Sequence, residues 1–114
     1  MENLKLEKEI SNAIDRLIED GGRLVTNIWN DEINNNAYCY CALGALFYVN
    51  NIDVPHALTE IISFLKKETG KSEDWIYSFT SGFDNKIDEF EGNFQQDAYD
   101  MGISIREKYS KFIQ

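Results

Sequence analysis

Three residues in this sequence could support nucleophilic catalysis: the cysteines Cys39 and Cys41 and the single histidine, His56. A cysteine at the start of a helix forms its thiolate more readily, and a nearby histidine can take the proton. The three residues complete no recognisable catalytic motif, and no glycine-rich loop suited to an oxyanion accompanies them. We therefore expect both cysteines to be reduced, packed core thiols. A cysteine-dependent enzyme is the third of three functional hypotheses.

The same residues do not predict a metal site. A Cys-x-Cys pair with one distant histidine does not supply the closed ligand set of structural zinc. The segment that begins at Asp84 has the acidic start of a calcium loop, but Lys86 occupies the third position and Glu89 replaces the glycine required at the sixth. No glycine loop for nucleotide phosphates is present. We therefore expect no metal, no cofactor and no catalytic residue.

Residues 73–100 combine acidic and aromatic side chains in a way that is typical of a protein interface. The segment contains eight acids and seven aromatic residues but one base, Lys86. Phe83 and Phe90 fall in a predicted loop, where exposed rings can anchor a partner while nearby acids steer the encounter. The predicted partner-binding residues are Phe83, Asp84, Asp88, Glu89, Phe90, Glu91, Asp97 and Asp100. The alternative is that the two phenylalanines pin the loop onto the domain.

Charge and length narrow the classes of partner. The chain has 114 residues and a formal net charge of -9, which disfavours direct binding to nucleic acid but suits a basic protein, including a nucleic-acid-binding effector. The charged N-terminus and the lack of a long apolar run predict a cytoplasmic protein that does not enter a membrane. A homodimer stays open as a further association. We expect one domain, residues 1–114.

A charge-free segment, Ala37–Tyr48, predicts the element around which the chain packs. Its small and large apolar residues alternate as in a buried central helix. Apolar residues at helical spacing predict four further helices, at about Leu4–Glu19, between Asp53 and Gly70, at Glu73–Thr80 and at Phe94–Phe112. The segment Arg23–Trp29 allows a short strand, a short helix or an extended arm, and Asn30–Asn36 is a predicted polar loop. The predicted fold is all-α (mainly α), a compact bundle of about five helices around the central helix, with room for one short strand.

Local signals predict where these helices begin and end. Asp53 and Ser72 are predicted N-terminal caps, and Gly70 and Gly82 are predicted stops. Gly102 lies inside the last helix, where glycine costs about 1 kcal/mol relative to alanine. We therefore expect Gly102 to permit a close contact between helices.

The order of these elements resembles an uncharacterised family of small proteins from bacteria and their phages. Members carry a similar Cys-Ala-Leu-Gly-Ala-Leu box, here Cys41–Leu46, between amphipathic helices, followed by a Trp-Asn-Asp turn. In this sequence the later turn reads Phe83-Asp84-Asn85, and Trp29-Asn30-Asp31 precedes the box instead. The resemblance implies an origin in a mobile genetic element and transfers no catalytic residues.

The sequence favours a non-catalytic acidic protein that binds and blocks a basic partner, for example a phage anti-defence (anti-CRISPR-like) inhibitor or an immunity protein. The second hypothesis is a small-ligand sponge or sensor, in which Arg23 or Arg106 meets an anionic group. Its pocket would be lined by Tyr38, Tyr40, Trp75 and Tyr77.

Overall fold

The computed structural model describes residues 2–26, 30–33, 37–84 and 93–113, with side chains for 4–26, 41–84 and 93–113. The elements in chain order are α1 (Glu2–Glu19), β1 (Arg23–Leu24), β2 (Asn30–Ile33), β3 (Ala37–Tyr40), α2 (Gly44–Val49), α3 (Leu58–Thr69), α4 (Glu73–Asp84), α5 (Gln96–Lys108) and a short 3-10 helix (Ser110–Phe112). The predicted mainly helical class, with five helices in the described part, is confirmed. The chain divides into two compact units, Met1–Val54 with Tyr109–Gln114, and Pro55–Lys108. The single-domain organisation stays a prediction.

Helix α1 provides the apolar core of the first unit. Ile10, Ile14 and Leu17 are fully buried and recur at helical spacing, as the sequence predicts. The helix ends where Gly21 takes the left-handed conformation, at φ 89°, and the next amide, Gly22 N–H, donates to the Leu17 carbonyl (2.9 Å).

The C-terminal residues of the chain also belong to the first unit, where Tyr109 contacts α1. Its buried hydroxyl donates to Asp15 Oδ1 (2.7 Å) and lies 3.0 Å from the Ser11 carbonyl oxygen. Burial and the hydrogen bond with Asp15 raise the pKa of Tyr109 to about 12.

The first unit contains a three-stranded sheet in the order β1-β3-β2, and this corrects two predictions. Ala37–Tyr40 is a strand, parallel to β1 and antiparallel to β2, so a central helix beginning at Ala37 is wrong. Asn30–Ile33 is the strand β2 and not part of a loop. A charge-free run does not distinguish a buried helix from a strand, and Tyr38-Cys39-Tyr40 has strand-favouring residues. The second half of the segment does contain a helix, α2, with Gly44, Ala45, Leu46 and Phe47 buried.

The second unit starts with α3, whose end the sequence predicts better than its start. The helix begins at Leu58 after an extended Ala57 that makes no side-chain cap, so the predicted start at Asp53 is wrong. Proline restrains the residue before it to extended backbone, which delays the helix. At the other end Gly70 adopts φ 70°, and its N–H donates to the Lys66 carbonyl (2.9 Å), as expected for a glycine stop.

Helices α4 and α5 approach each other closely in the second unit, at two glycines. A Cβ at Gly82 would collide with the Tyr99 carbonyl, and a Cβ at Gly102 would collide with the backbone of Phe79 and Phe83. The close contact expected at Gly102 is therefore confirmed. The predicted stop at Gly82 is wrong, since α4 continues to Asp84. The glycine instead allows the close approach of α5.

Two serine side chains accept hydrogen bonds where α4 and α5 begin. The Ser72 hydroxyl accepts a hydrogen bond from Trp75 N–H (3.2 Å), which confirms the predicted cap. The Ser78 hydroxyl accepts a hydrogen bond from Gln95 N–H (3.0 Å) just before α5. The last helix, α5, starts at Gln96 and ends at Lys108, so it is shorter than predicted. No helix within the described ranges has the length and apolar character needed to cross a bilayer.

Candidate functional site

Phe83 is a core residue of α4, so its predicted roles as a loop residue and as a partner anchor are wrong. Its side chain is 1% exposed, and it continues the buried stripe of Ile76 and Phe79. The Phe83 carbonyl accepts a hydrogen bond from the Arg106 guanidinium on α5 (2.7 Å). The predicted helix ends at Thr80, with Gly82 as its stop, and that error places Phe83 in a loop and not on the helix stripe.

Phe94 is one of two exposed aromatic residues in the predicted last helix, with Phe112 at 44%. The predicted helix Phe94–Phe112 makes this residue its first inner position, but the Phe94 side chain is 47% exposed. Its ring lies against that of Tyr99, with 5.4 Å between centroids and a tilt of 54°. Since Phe94 lies two residues before Gln96, where α5 begins, helical periodicity does not apply to it. A correct start for α5 would have identified it.

The exposed side of α5, the helix that follows Phe94, carries carboxylates. Asp97, Asp100 and Glu107 are all exposed, and their spacings of three and seven residues place them on one face of the helix. Gln96 Nε2 donates to Asp100 Oδ1 (2.8 Å) and orients that carboxylate. We call Phe94, Asp97, Asp100 and Glu107 the Phe94–α5 surface. Glu107 was not predicted, although its seven-residue spacing from Asp100 is visible in the sequence.

The other predicted partner-binding residues do not join this surface in the described structure. Asp84 is half-buried at the last residue of α4, where the helix dipole disfavours a carboxylate. Asp88, Glu89, Phe90 and Glu91 lie in residues 85–92, outside the described ranges, and their roles stay predictions. Of the eight predicted residues, the structure therefore brings together Asp97 and Asp100, on the first two turns of α5.

The side chains predicted to line a small-ligand pocket are placed differently. Trp75 is 3% exposed and stacks on Phe79, with 5.5 Å between ring centroids, so it is a core residue. Burial and the neighbouring Glu73 carboxylate raise the pKa of Tyr77. The Arg106 guanidinium donates a hydrogen bond to the Phe83 carbonyl near the end of α4. The side chains of Tyr38 and Tyr40 lie outside the described residues.

The cysteine hypothesis gains little from the described geometry. The Cys41 side chain is 6% exposed, and its Sγ accepts a hydrogen bond from Gly44 N–H (3.2 Å). His56 is exposed in the segment before α3. The Cys39 side chain lies outside the described residues. Among the side chains that are described, no three His, Cys, Asp or Glu residues are grouped to hold a metal ion.

Comparison of the chain with models of protein families, with curated proteins and with solved structures gives no match.

Proposed function

We propose that this chain is a non-catalytic acidic binding protein that blocks a basic protein partner through the Phe94–α5 surface. The observation that carries the proposal is the exposed Phe94 ring two residues before a helix whose exposed side carries three carboxylates. An aromatic ring that a partner buries can contribute strongly to affinity. The flanking carboxylates would attract cationic partners and raise the association rate.

The charge of the whole chain supports the same partner class. With 20 acidic against 11 basic residues, the protein produces a negative potential that favours a cationic groove. Cationic grooves are common in proteins that bind nucleic acid, because they neutralise phosphates. A nucleic-acid-binding effector is therefore the proposed target. A phage anti-defence inhibitor of the anti-CRISPR type, or an immunity protein, is the proposed setting.

A pair of matched charge reversals tests this proposal. In D97K/D100K the two carboxylates of α5 become ammonium groups. In the control, E9K/E19K, the same charge change is made on the exposed side of α1. Wild type and both variants are first checked for folding by circular dichroism and thermal unfolding. Each is then used to capture partners from host lysate, and the dissociation constant of any captured protein is measured at several salt concentrations.

The proposal expects a basic protein whose affinity falls at least about tenfold in D97K/D100K, with a weaker dependence on salt. The control E9K/E19K should keep most of the affinity. Equal losses in the two variants would show that net charge alone matters and would contradict the proposed surface. Full binding by D97K/D100K would contradict it as well. A third variant, D88K/E89K, tests the predicted acids of the segment 85–92 in the same assay.

A further inference from the structure

A groove in the second unit follows one strip of α3 and reaches the first residue of α4. Its volume is about 510 Å³, and it is lined by Thr59, Ile62, Ser63, Lys66, Lys67 and Glu73. The five α3 residues recur three and four positions apart, so they form a continuous strip along that helix. Small-molecule sites typically have volumes of roughly 300–1,000 Å³, and the groove falls within this range.

Two lysines bring positive charge into this groove. Lys66 and Lys67 are both exposed, and neither forms an ion pair with a described residue. That is notable in a chain in which acids outnumber bases by 20 to 11. The groove also contains one carboxylate, Glu73. The groove thus has two ammonium groups against one carboxylate and carries a net positive charge.

The other lining residues add donors and an apolar surface. Thr59 and Ser63 present exposed hydroxyl groups on the same strip as the lysines. Ile62 is 5% exposed and forms an apolar floor. Lysines in the last turn of a helix also stabilise the helix through its dipole. That role accounts for their position in α3 but not for the hydroxyl groups and the groove beside them.

We infer that this groove binds a small organic phosphate. Lysine binds phosphate as a compact point charge, so Lys66 and Lys67 hold the phosphate group. The hydroxyl groups of Thr59 and Ser63 donate to ligand oxygens, and the apolar part of the ligand covers Ile62. The groove shares no residue with the Phe94–α5 surface, and this inference does not depend on the function proposed above.

Titration with defined probes tests the inference. The probes are adenosine monophosphate, adenosine and inorganic phosphate, each followed by amide chemical shifts in two-dimensional NMR of the whole chain. We expect saturable shifts at Ser63, Lys66 and Lys67 with adenosine monophosphate. In K66Q/K67Q the affinity should fall about tenfold. The control variant K5Q/K8Q removes the same charge from the exposed side of α1 and should bind as wild type does.

Three results would overturn the inference. One is the absence of saturable shifts at these residues with millimolar adenosine monophosphate. Another is an equal loss of affinity in K66Q/K67Q and K5Q/K8Q, which would indicate non-specific attraction. The third is binding of adenosine or of inorganic phosphate as tightly as the monophosphate, because the site needs both the phosphate and the organic body. These exposed glutamine substitutions do not touch the core, so loss of folding does not confuse the result.

Discussion

The exposed sides of α1 and α5 both carry charged residues, but the two sides differ in the balance of acids and bases. On α1 the exposed lysines Lys5 and Lys8 alternate with acids such as Glu9 and Glu19, and Arg16 pairs with Asp20 (3.3 Å). On α5 the exposed stripe carries carboxylates, and an exposed phenylalanine precedes it. A mixed surface is sufficient for solubility. On α5 three exposed carboxylates stand against one exposed base, Lys108. This excess of carboxylates beside an exposed ring goes beyond that need, and the difference is the physical basis of the proposed interface.

The largest expected effect is the difference in unfolding stability between alanine substitutions at the buried Phe83 and at the exposed Phe94. Phe83→Ala should lower the free energy of unfolding by about 3–5 kcal/mol, because it opens a cavity where α4 packs on α5. Phe94→Ala is the matched control, since it removes the same ring from a position that is 47% exposed. Its cost should be about 0.5 kcal/mol. Urea denaturation measures both values.

Equal stability losses in these two variants would contradict the contrast between a core residue and a surface residue. A large loss for Phe94→Ala alone would reverse the assignment. In that case Phe94 would be a structural residue, and the exposed side of α5 would lack its anchor.

A smaller effect on stability is expected from the hydrogen bond between Tyr109 and Asp15 of α1. Tyr109→Phe removes the hydroxyl that donates to Asp15, and the free energy of unfolding should fall by about 1 kcal/mol at neutral pH. This result would sharpen the comparison of the helices, because Asp15 then serves the fold of the first unit and not a partner.

The raised pKa of Tyr109 leads us to expect a lower free energy of unfolding at alkaline pH. Its pKa is about 12 in the folded chain and about 10 when unfolded. Below pH 10 both states keep the proton, and the stabilising effect of the hydroxyl is fully present. As the pH rises from 10 to 12, the unfolded chain releases the proton first, so the free energy of unfolding falls. In Tyr109→Phe the free energy of unfolding should fall less steeply between pH 10 and pH 12 than in wild type. The same slope in wild type and variant would contradict this role of Tyr109.

The sequence predicts best where one local signal decides the structure. The stripe of α1, the cap at Ser72, the stop at Gly70 and the close contact at Gly102 each follow from a residue type and its spacing. The charge-free segment 37–48 fails because burial on all sides suits either a helix or a strand. Only pairing with distant residues, such as Arg23 with Cys39, favours the strand, and the sequence of the segment does not contain that information.

The candidate site shows how a small error in a helix end changes a functional reading. Moving the end of α4 from Thr80 to Asp84 transfers Phe83 from a loop to the core. Moving the start of α5 from Phe94 to Gln96 transfers Phe94 from the core to the surface. Asp97 and Asp100 keep their exposed positions on α5 in both readings. The acidic part of the surface could therefore be predicted, whereas the identity of its aromatic anchor depended on tertiary packing.

The most direct test of the proposed interface is the affinity of Phe94→Ala for the captured basic partner, measured by calorimetry beside wild type. The interface account predicts an affinity about tenfold to thirtyfold lower, with unfolding stability nearly unchanged. An affinity equal to that of wild type would contradict the account, because the exposed ring is the feature that distinguishes this surface from the solubilising side of α1.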